Sequence, residues 1–362
     1  MISKLSLKNF RCFHDFTMDG IRPITLIAGT NNTGKSTILE SVFLFMNRYS
    51  SNVFLKLNEF RGIYLSNLLP QMIWEPVFSN MNIDNDINIA VTVNEELQTA
   101  IFSKDTSFSM SSIPKIHSQI NVQELAVPTA NFYPLKFTYE LNNHNHEADN
   151  YKEESFFIIR EARIILTSQQ PIKTKTPYIH YVSSRIPITT MEAAEWFGKV
   201  ELAGGKARCI EALNTLDKRI RDLSVIIIGG ISGIFADIGL SSRLSVNMLG
   251  DGVTKLIHIV LLMLANPGSI ILIDEIENGF HYSFFPKLWE IIGKLSVETK
   301  CQIFATTHSY ECINGAVALA ANADNPELFR FVRIEQNNGN ITPHVFDNDS
   351  FEYAVKSKWE VR

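Results

Sequence analysis

The chain has 362 residues, 45% apolar and 20% charged, an ordinary globular composition with enough length for one large or two medium domains. With 33 Lys and Arg against 38 Asp and Glu the net charge is −5, which excludes a global basic footprint for nucleic acid and leaves DNA only a local patch or a partner's surface. Four cysteines without a C-x-x-C pair, a strand-like opening at residues 1–7 and an apolar run at 257–265 broken by His258 speak against a disulfide or zinc framework, a signal peptide and a membrane span, so a cytoplasmic location is expected.

In chain order, Ile2, Leu5 and Leu7 begin a strand that Phe10-Arg11-Cys12-Phe13 continues. Ile24 to Ala28 is a short apolar strand. Gly29-Thr30-Asn31-Asn32-Thr33-Gly34-Lys35-Ser36-Thr37 then fits G-x-x-x-x-G-K-[ST] at every fixed position, and Thr37 to Leu44 has the spacing of a helix packed on a sheet. Strand, glycine loop and helix start together make a phosphate site of the pattern match. The glycines let successive N–H groups and the helix N-terminus face an anion. Lys35 would reach the β/γ-phosphates of ATP, and the Ser36 hydroxyl would ligate Mg²⁺.

From about 86 to 167 the apolar period is two. Ile87 to Val93 and Leu97 to Phe102 are expected to pair as a hairpin across Asn94-Glu95-Glu96, while Leu135–Leu141 and Ser155–Arg160 flank a polar loop. His144 and His146 in that loop read as solvated surface, not as metal ligands. Ile210, Leu213, Ile220 and Leu223 suggest a short amphipathic helix and no sustained heptad array. Beyond 246 the pattern is α/β: helix 252–265, strand 269–273, helix 283–296, strand 301–305, helix 309–321. A hairpin 328–346 around Asn337-Asn338-Gly339 and a last helix near Ser350 close the chain.

Three further segments carry chemistry. Gly268 to Ile273 is an apolar strand ending in Asp274-Glu275, and carboxylates at the C-terminal edge of a parallel sheet face a ligand bound there. Asp274 is suited to hold Mg²⁺ through water, and Glu275 to polarise the attacking water. Cys301 to Thr307 is a second such strand, ending in His308, which can sense a γ-phosphate and position water. Gly250-Asp251-Gly252 opens a helix and offers N–H groups to an anion. One chain already holds one phosphate loop, so this second site would serve a nucleotide on another copy, giving a head-to-tail homodimer, or a higher oligomer, with ATP in the seam.

This order of elements resembles an ABC-type ATPase head, more narrowly the branch of RecF, Rad50, SMC heads and OLD-family ATPases, over residues 1–48 and 246–315. The resemblance implies an α/β P-loop NTPase fold with a parallel or mixed core sheet and an inserted β-rich lobe. It assigns 1–85 and 180–325 to the head, 86–179 to the lobe, and 326–362 to a hairpin and short helix packing on the head. It makes Gly29 to Thr37 the Walker A loop, Asp274-Glu275 the Walker B acids, His308 the switch histidine and Leu249 to Val253 the signature. It also brings Arg11 near the nucleotide. Gly250 stands where the family has a serine, so the signature would act through backbone N–H groups. Gln71 is a candidate for the glutamine loop, and Glu275 to His281 occupies the dimer-contacting loop.

Without a coiled-coil arm the chain departs from Rad50, SMC and RecN. Residues 309–362 are too few for the Toprim nuclease of OLD proteins. It thus resembles stand-alone ATPase subunits of two-gene bacterial anti-phage modules (PARIS, Septu, retron-associated). Their effector is a separate protein such as a Toprim or HNH nuclease. A RecF-like repair ATPase that binds DNA as an ATP-dependent dimer is the alternative. A low-turnover scaffold is also kept, and a membrane transporter's ATPase subunit is disfavoured.

Overall fold

The computed structural model describes residues 1–64, 69–105, 134–142, 150–160, 163–168, 177–322, 325–337 and 339–357. The chain divides into two compact units: Met1–Gly20, Glu40–Thr176 and Gln336–Thr342 form the first, and Ile21–Leu39, Pro177–Glu335 and Pro343–Arg362 the second.

The chain opens with β1 (Ile2–Phe10), β2 (Phe13–Asp19) and β3 (Ile24–Gly29), followed by the helices α1 (Lys35–Met46), α2 (Val53–Phe60) and α3 (Pro70–Ile73). Next come β4 (Ile87–Val93), β5 (Glu96–Lys104), β6 (Leu135–Asn142), β7 (Tyr151–Arg160) and β8 (Arg163–Ser168). In the first unit these build a seven-stranded sheet in the order β2-β1-β4-β5-β6-β7-β8, and its pairs are antiparallel. The sheet thus takes in the N-terminal hairpin as well as strands of the expected lobe, because β1 pairs with β4 from Ile2–Val93 to Lys8–Asn88. Arg11 does not continue β1. Arg11-Cys12 is the turn between Phe10 and Phe13, with Arg11 at φ 50°. The expected β4–β5 hairpin forms with Asn94 and Glu95 both at positive φ, the conformation a two-residue hairpin turn requires.

Alternation along these strands puts one face into an aromatic core. Phe102 stacks on Phe137 at 5.0 Å, and Phe54 of α2 meets Phe157 edge-on at 5.1 Å. Just past α1, the buried Arg48 guanidinium lies 4.0 Å from the Tyr139 ring centroid and 4.7 Å from that of Tyr49. Buried Glu153 accepts from the Tyr151 hydroxyl at 3.0 Å and the Tyr49 hydroxyl at 3.3 Å. The end of α1 is therefore tied to the sheet by cation–π and hydroxyl–carboxylate contacts as well as by packing.

The second unit continues with β9 (Ile179–Val182), α4 (Thr190–Leu202), α5 (Lys206–Asn214), β10 (Asp222–Ile228), β11 (Ile231–Asp237) and β12 (Leu244–Ser245). Then follow α6 (Asp251–Ala265), β13 (Ile270–Ile273), α7 (Phe285–Thr299), β14 (Gln302–Thr307), α8 (Tyr310–Gly315) and α9 (Val317–Ala320). The last elements are β15 (Phe329–Asn337), β16 (Asn340–Phe346) and α10 (Asn348–Lys356). The expected helix through Ile220 and Leu223 ends at Asn214. Leu223 belongs to β10, which forms a hairpin with β11 across Gly229-Gly230, both at positive φ. The single helix expected at 309–321 is two short ones, α8 and α9, broken at Ala316.

Six strands form the sheet of this unit in the order β16-β15-β3-β14-β13-β9, and the pairs from β15 through β9 are parallel. Parallel strands must be buried on both faces. Accordingly β3, β13 and β14 are buried at every position. Among the helices over this sheet, α6 and α7 supply Leu256, Ile259, Val260, Met263, Leu288 and Trp289 to one continuous core. Because the strands are parallel, Gly29 at the end of β3 and Ser183, Asp274 and His308 just past β9, β13 and β14 emerge at one sheet edge.

Candidate nucleotide site at the sheet edge

The loop between β3 and α1 is shaped by residues that only its backbone path explains. Gly29 has φ 153° and Gly34 φ 90°, and Asn32 between them sits at φ 65°. A Cβ at Gly29 would stand 2.5 Å from the Ile334 carbonyl oxygen of β15 and 2.9 Å from Thr33 Oγ1. The Thr33 hydroxyl donates to the Thr30 carbonyl at 2.9 Å, and Lys35 Nζ donates to the Gly29 and Thr30 carbonyls, both at 2.8 Å. Lys35 thus closes the loop on itself. Its burial pulls the ammonium pKa down, against the raising pull of Asp274, Glu277 and Glu275. Helix α1 starts at Lys35, so the open N–H groups of its first turn belong to the same concavity.

Asp274 is brought to this loop by the β13 register. The Ser36 hydroxyl donates to its Oδ1 at 2.9 Å and the buried Thr306 hydroxyl to the same atom at 2.7 Å, while the Ser184 hydroxyl reaches Oδ2 at 3.4 Å. Three hydroxyl groups from three segments therefore converge on one carboxylate. Ser36 and Asp274 form a pair of hard oxygen donors, the kind Mg²⁺ prefers, so the residues fit that ion. Among the described residues no group of three or more His, Cys, Asp or Glu is arranged to hold a metal alone.

Glu275 adopts φ 50°, which turns the chain sharply as β13 ends. Its N–H donates to Thr306 Oγ1 at 2.9 Å, and its Oε2 accepts from Asn278 Nδ2 at 2.7 Å. The Lys255 ammonium of α6 donates to its carbonyl at 2.8 Å. Burial pushes that lysine's pKa down to about 8 against the raising pull of neighbouring carboxylates. His308, half exposed, places Nδ1 2.9 Å from Glu277 Oε1, and its backbone N–H donates to the same oxygen at 2.8 Å.

Gly250 caps α6 at φ 103° with open space where a Cβ would lie, and Asp251 is exposed in the first turn, where the helix dipole favours a carboxylate. Gly252 differs. A Cβ there would meet the Gly279 carbonyl oxygen at 2.8 Å, so its smallness lets α6 approach the loop after Glu275 within the same chain.

Arg11 takes up a carboxylate of α1, with Nε 2.7 Å from Glu40 Oε2. Arg61 holds that same buried carboxylate through Nε at 2.8 Å and Nη2 at 3.0 Å. Both interactions lie in the first unit. Gln71 falls within α3, and His144 and His146 lie outside the described residues. The loop 29–37, Asp274, Glu275 and His308 all belong to the second unit, where Ser36 and Asp274 are in direct contact.

Sequence reading assigned no site role to Ser184, Thr306 or Lys255, and placed Glu277 and Asn278 only in the dimer-contacting loop. Only Ser184 had a signal, as the first polar run after an apolar strand next to β13.

Residues 1–313 match the model of a family described as AAA ATPase domain. A curated relative from Helicobacter pylori, named ATP/GTP phosphatase, is 22% identical over an alignment of 388 positions that covers 99% of each chain. Among solved structures, an SMC head bound to the C-terminal winged-helix domain of ScpA is 12% identical with a TM-score of 0.50, covering 98% of this chain and 99% of that one. That likeness is one of fold.

Proposed function

Since the chain belongs to the AAA ATPase domain family, we propose that it binds ATP with Mg²⁺ at the loop 29–37 and hydrolyses it, and that two copies close head to tail over the nucleotide. The observation that carries this is the hydrogen bond from Ser36 to Asp274, 2.9 Å long, which joins the phosphate loop to the acid at the end of β13. The glycine backbone and the first turn of α1 receive the phosphates, and Lys35 offers them its charge. Ser36 and Asp274 would hold Mg²⁺, which neutralises charge on the β- and γ-phosphates when bound. Glu275, one oxygen fixed by Asn278, orients and polarises the attacking water with the other. His308 faces the γ-phosphate from the next strand.

Head-to-tail closure is supported by Gly250, whose left-handed cap leaves the start of α6 open while Gly252 packs within its own chain. Closure then depends on a γ-phosphate that both copies touch, so hydrolysis releases it. By its resemblance to ATPase subunits of anti-phage modules, the output is control of a separate effector. Co-purification of a nuclease with the chain tests that step. The RecF-like alternative requires salt-dependent DNA binding with a steep slope.

Steady-state phosphate release tests the chemistry, with GTP run beside ATP because of the relative's name. Lys35→Ala is expected to lose nucleotide binding altogether. Glu275→Gln is expected to bind ATP like the wild type and turn it over at least roughly 100-fold more slowly. Wild-type ATP affinity in the first variant, or wild-type turnover in the second, contradicts the reading.

A further inference from the structure

Glu277 stands just past the left-handed turn at Glu275, and it is 8% exposed. One oxygen, Oε1, accepts the backbone N–H of His308 at 2.8 Å and lies 2.9 Å from the ring Nδ1 of the same residue. The other, Oε2, is buried and has no hydrogen-bond partner among the described residues. Leaving a carboxylate oxygen so buried costs free energy, and a purely structural link to the end of β14 would need only a neutral acceptor. The charge also acts on the two ammonium groups of Lys35 and Lys255, from the phosphate loop and from α6.

We infer that Glu277 is a positioning residue that fixes the imidazole of His308 with its proton on Nδ1 and its Nε2 presented to the nucleotide. This deepens the proposed hydrolytic role and rests on it. A carboxylate only accepts hydrogen bonds, so a ring nitrogen 2.9 Å away must donate, and the tautomer follows. The second bond, from the His308 backbone, holds the Cα from which that ring hangs. Ring orientation and strand end are thus set by one atom. Any shift of the loop 275–279, which Lys255 and Gly252 tie to α6, is passed to the ring through the same oxygen.

A double-mutant cycle on the full chain tests this. Glu277→Ala is expected to lower kcat for ATP roughly 10–100-fold while moving KM less than about threefold, the usual scale for a residue that orients a functional histidine. In a His308→Ala background the same change is expected to add less than about threefold. Glu277→Gln keeps an acceptor for the backbone N–H but neither the charge nor the acceptor-only chemistry that sets the tautomer, and is expected to recover only part of the rate. An equal loss in both backgrounds, or wild-type kcat in Glu277→Ala, overturns the inference. Ring ¹⁵N spectra of His308 give a readout that needs no turnover. The neutral ring is expected to carry its proton on Nδ1 in the wild type and to shift toward Nε2 in Glu277→Ala. An Nε2–H ring in an active wild-type chain overturns the positioning alone. An Nδ1–H ring in a chain that releases no phosphate overturns the hydrolytic reading alone.

Discussion

At the scale of single residues, the site rests on contacts that tolerate no extra atom. Gly29 is the sharpest case. Its φ of 153° and the Ile334 carbonyl 2.5 Å from any Cβ leave no room for a side chain. Gly29→Ala is therefore expected to cost about 1–3 kcal/mol in urea unfolding and to weaken ATP binding at least roughly tenfold, because the loop must deform to clear β15. Unchanged stability and affinity would show that the loop path is not fixed by this glycine. Lys35, Ser36, Asp274, Glu275 and His308 were legible as residues of one sheet edge, because each stands at a fixed offset from a strand end or a glycine. Thr306, Ser184 and Glu277 were not. Their roles depend on the registers of β9, β13 and β14 side by side, and register is a property of the sheet, not of a local pattern.

At the scale of elements, α6 links the proposed seam to the core. Its residues from Leu256 to Met263 are buried, His258 among them, because the helix is covered by α4, α5 and α7. Burial pushes the His258 pKa down to about 4, partly offset by the Glu192 carboxylate. The unfolded chain takes up this proton below about pH 6.5 and the folded chain only near pH 4, so between these values the unfolded state binds more protons. Stability is then full above about pH 6.5 and falls on acidification. His180 of β9, whose pKa is also lowered by burial, adds with the same sign. His258→Met is expected to remove about 2 kcal/mol of the loss between pH 7 and pH 5 in urea titrations. An identical pH slope in variant and wild type would contradict this.

The same elements mark the limits of pattern reading. The α/β alternation after residue 246 was legible because buried parallel strands are short apolar runs bounded by helices. The β10–β11 hairpin was not read, although Gly229-Gly230 is a turn signal. Its apolar residues Leu223 to Ile228 run without alternation, and Ile210 and Leu213 before them do sit on a helix. Of the N-terminal hairpin only β1 was legible, run on through Arg11 to Phe13, and neither β2 nor the place of β1 beside β4 was read, since pairing across some eighty intervening residues leaves no local trace.

For the molecule as a whole, the proposed function makes the sheet edge one wall of a nucleotide site and gives the open glycine cap at the start of α6 to a phosphate held by a second copy. No helix among the described residues is long and apolar enough to cross a membrane. The central claim is that ATP joins two chains. Native mass spectrometry of Glu275→Gln with ATP and Mg²⁺ reads bound nucleotide and subunit number together. A species of twice the 41.0 kDa chain mass carrying two ATP and two Mg²⁺ is expected, lost when Lys35→Ala is added. A monomer at saturating ATP, with or without bound nucleotide, would contradict it.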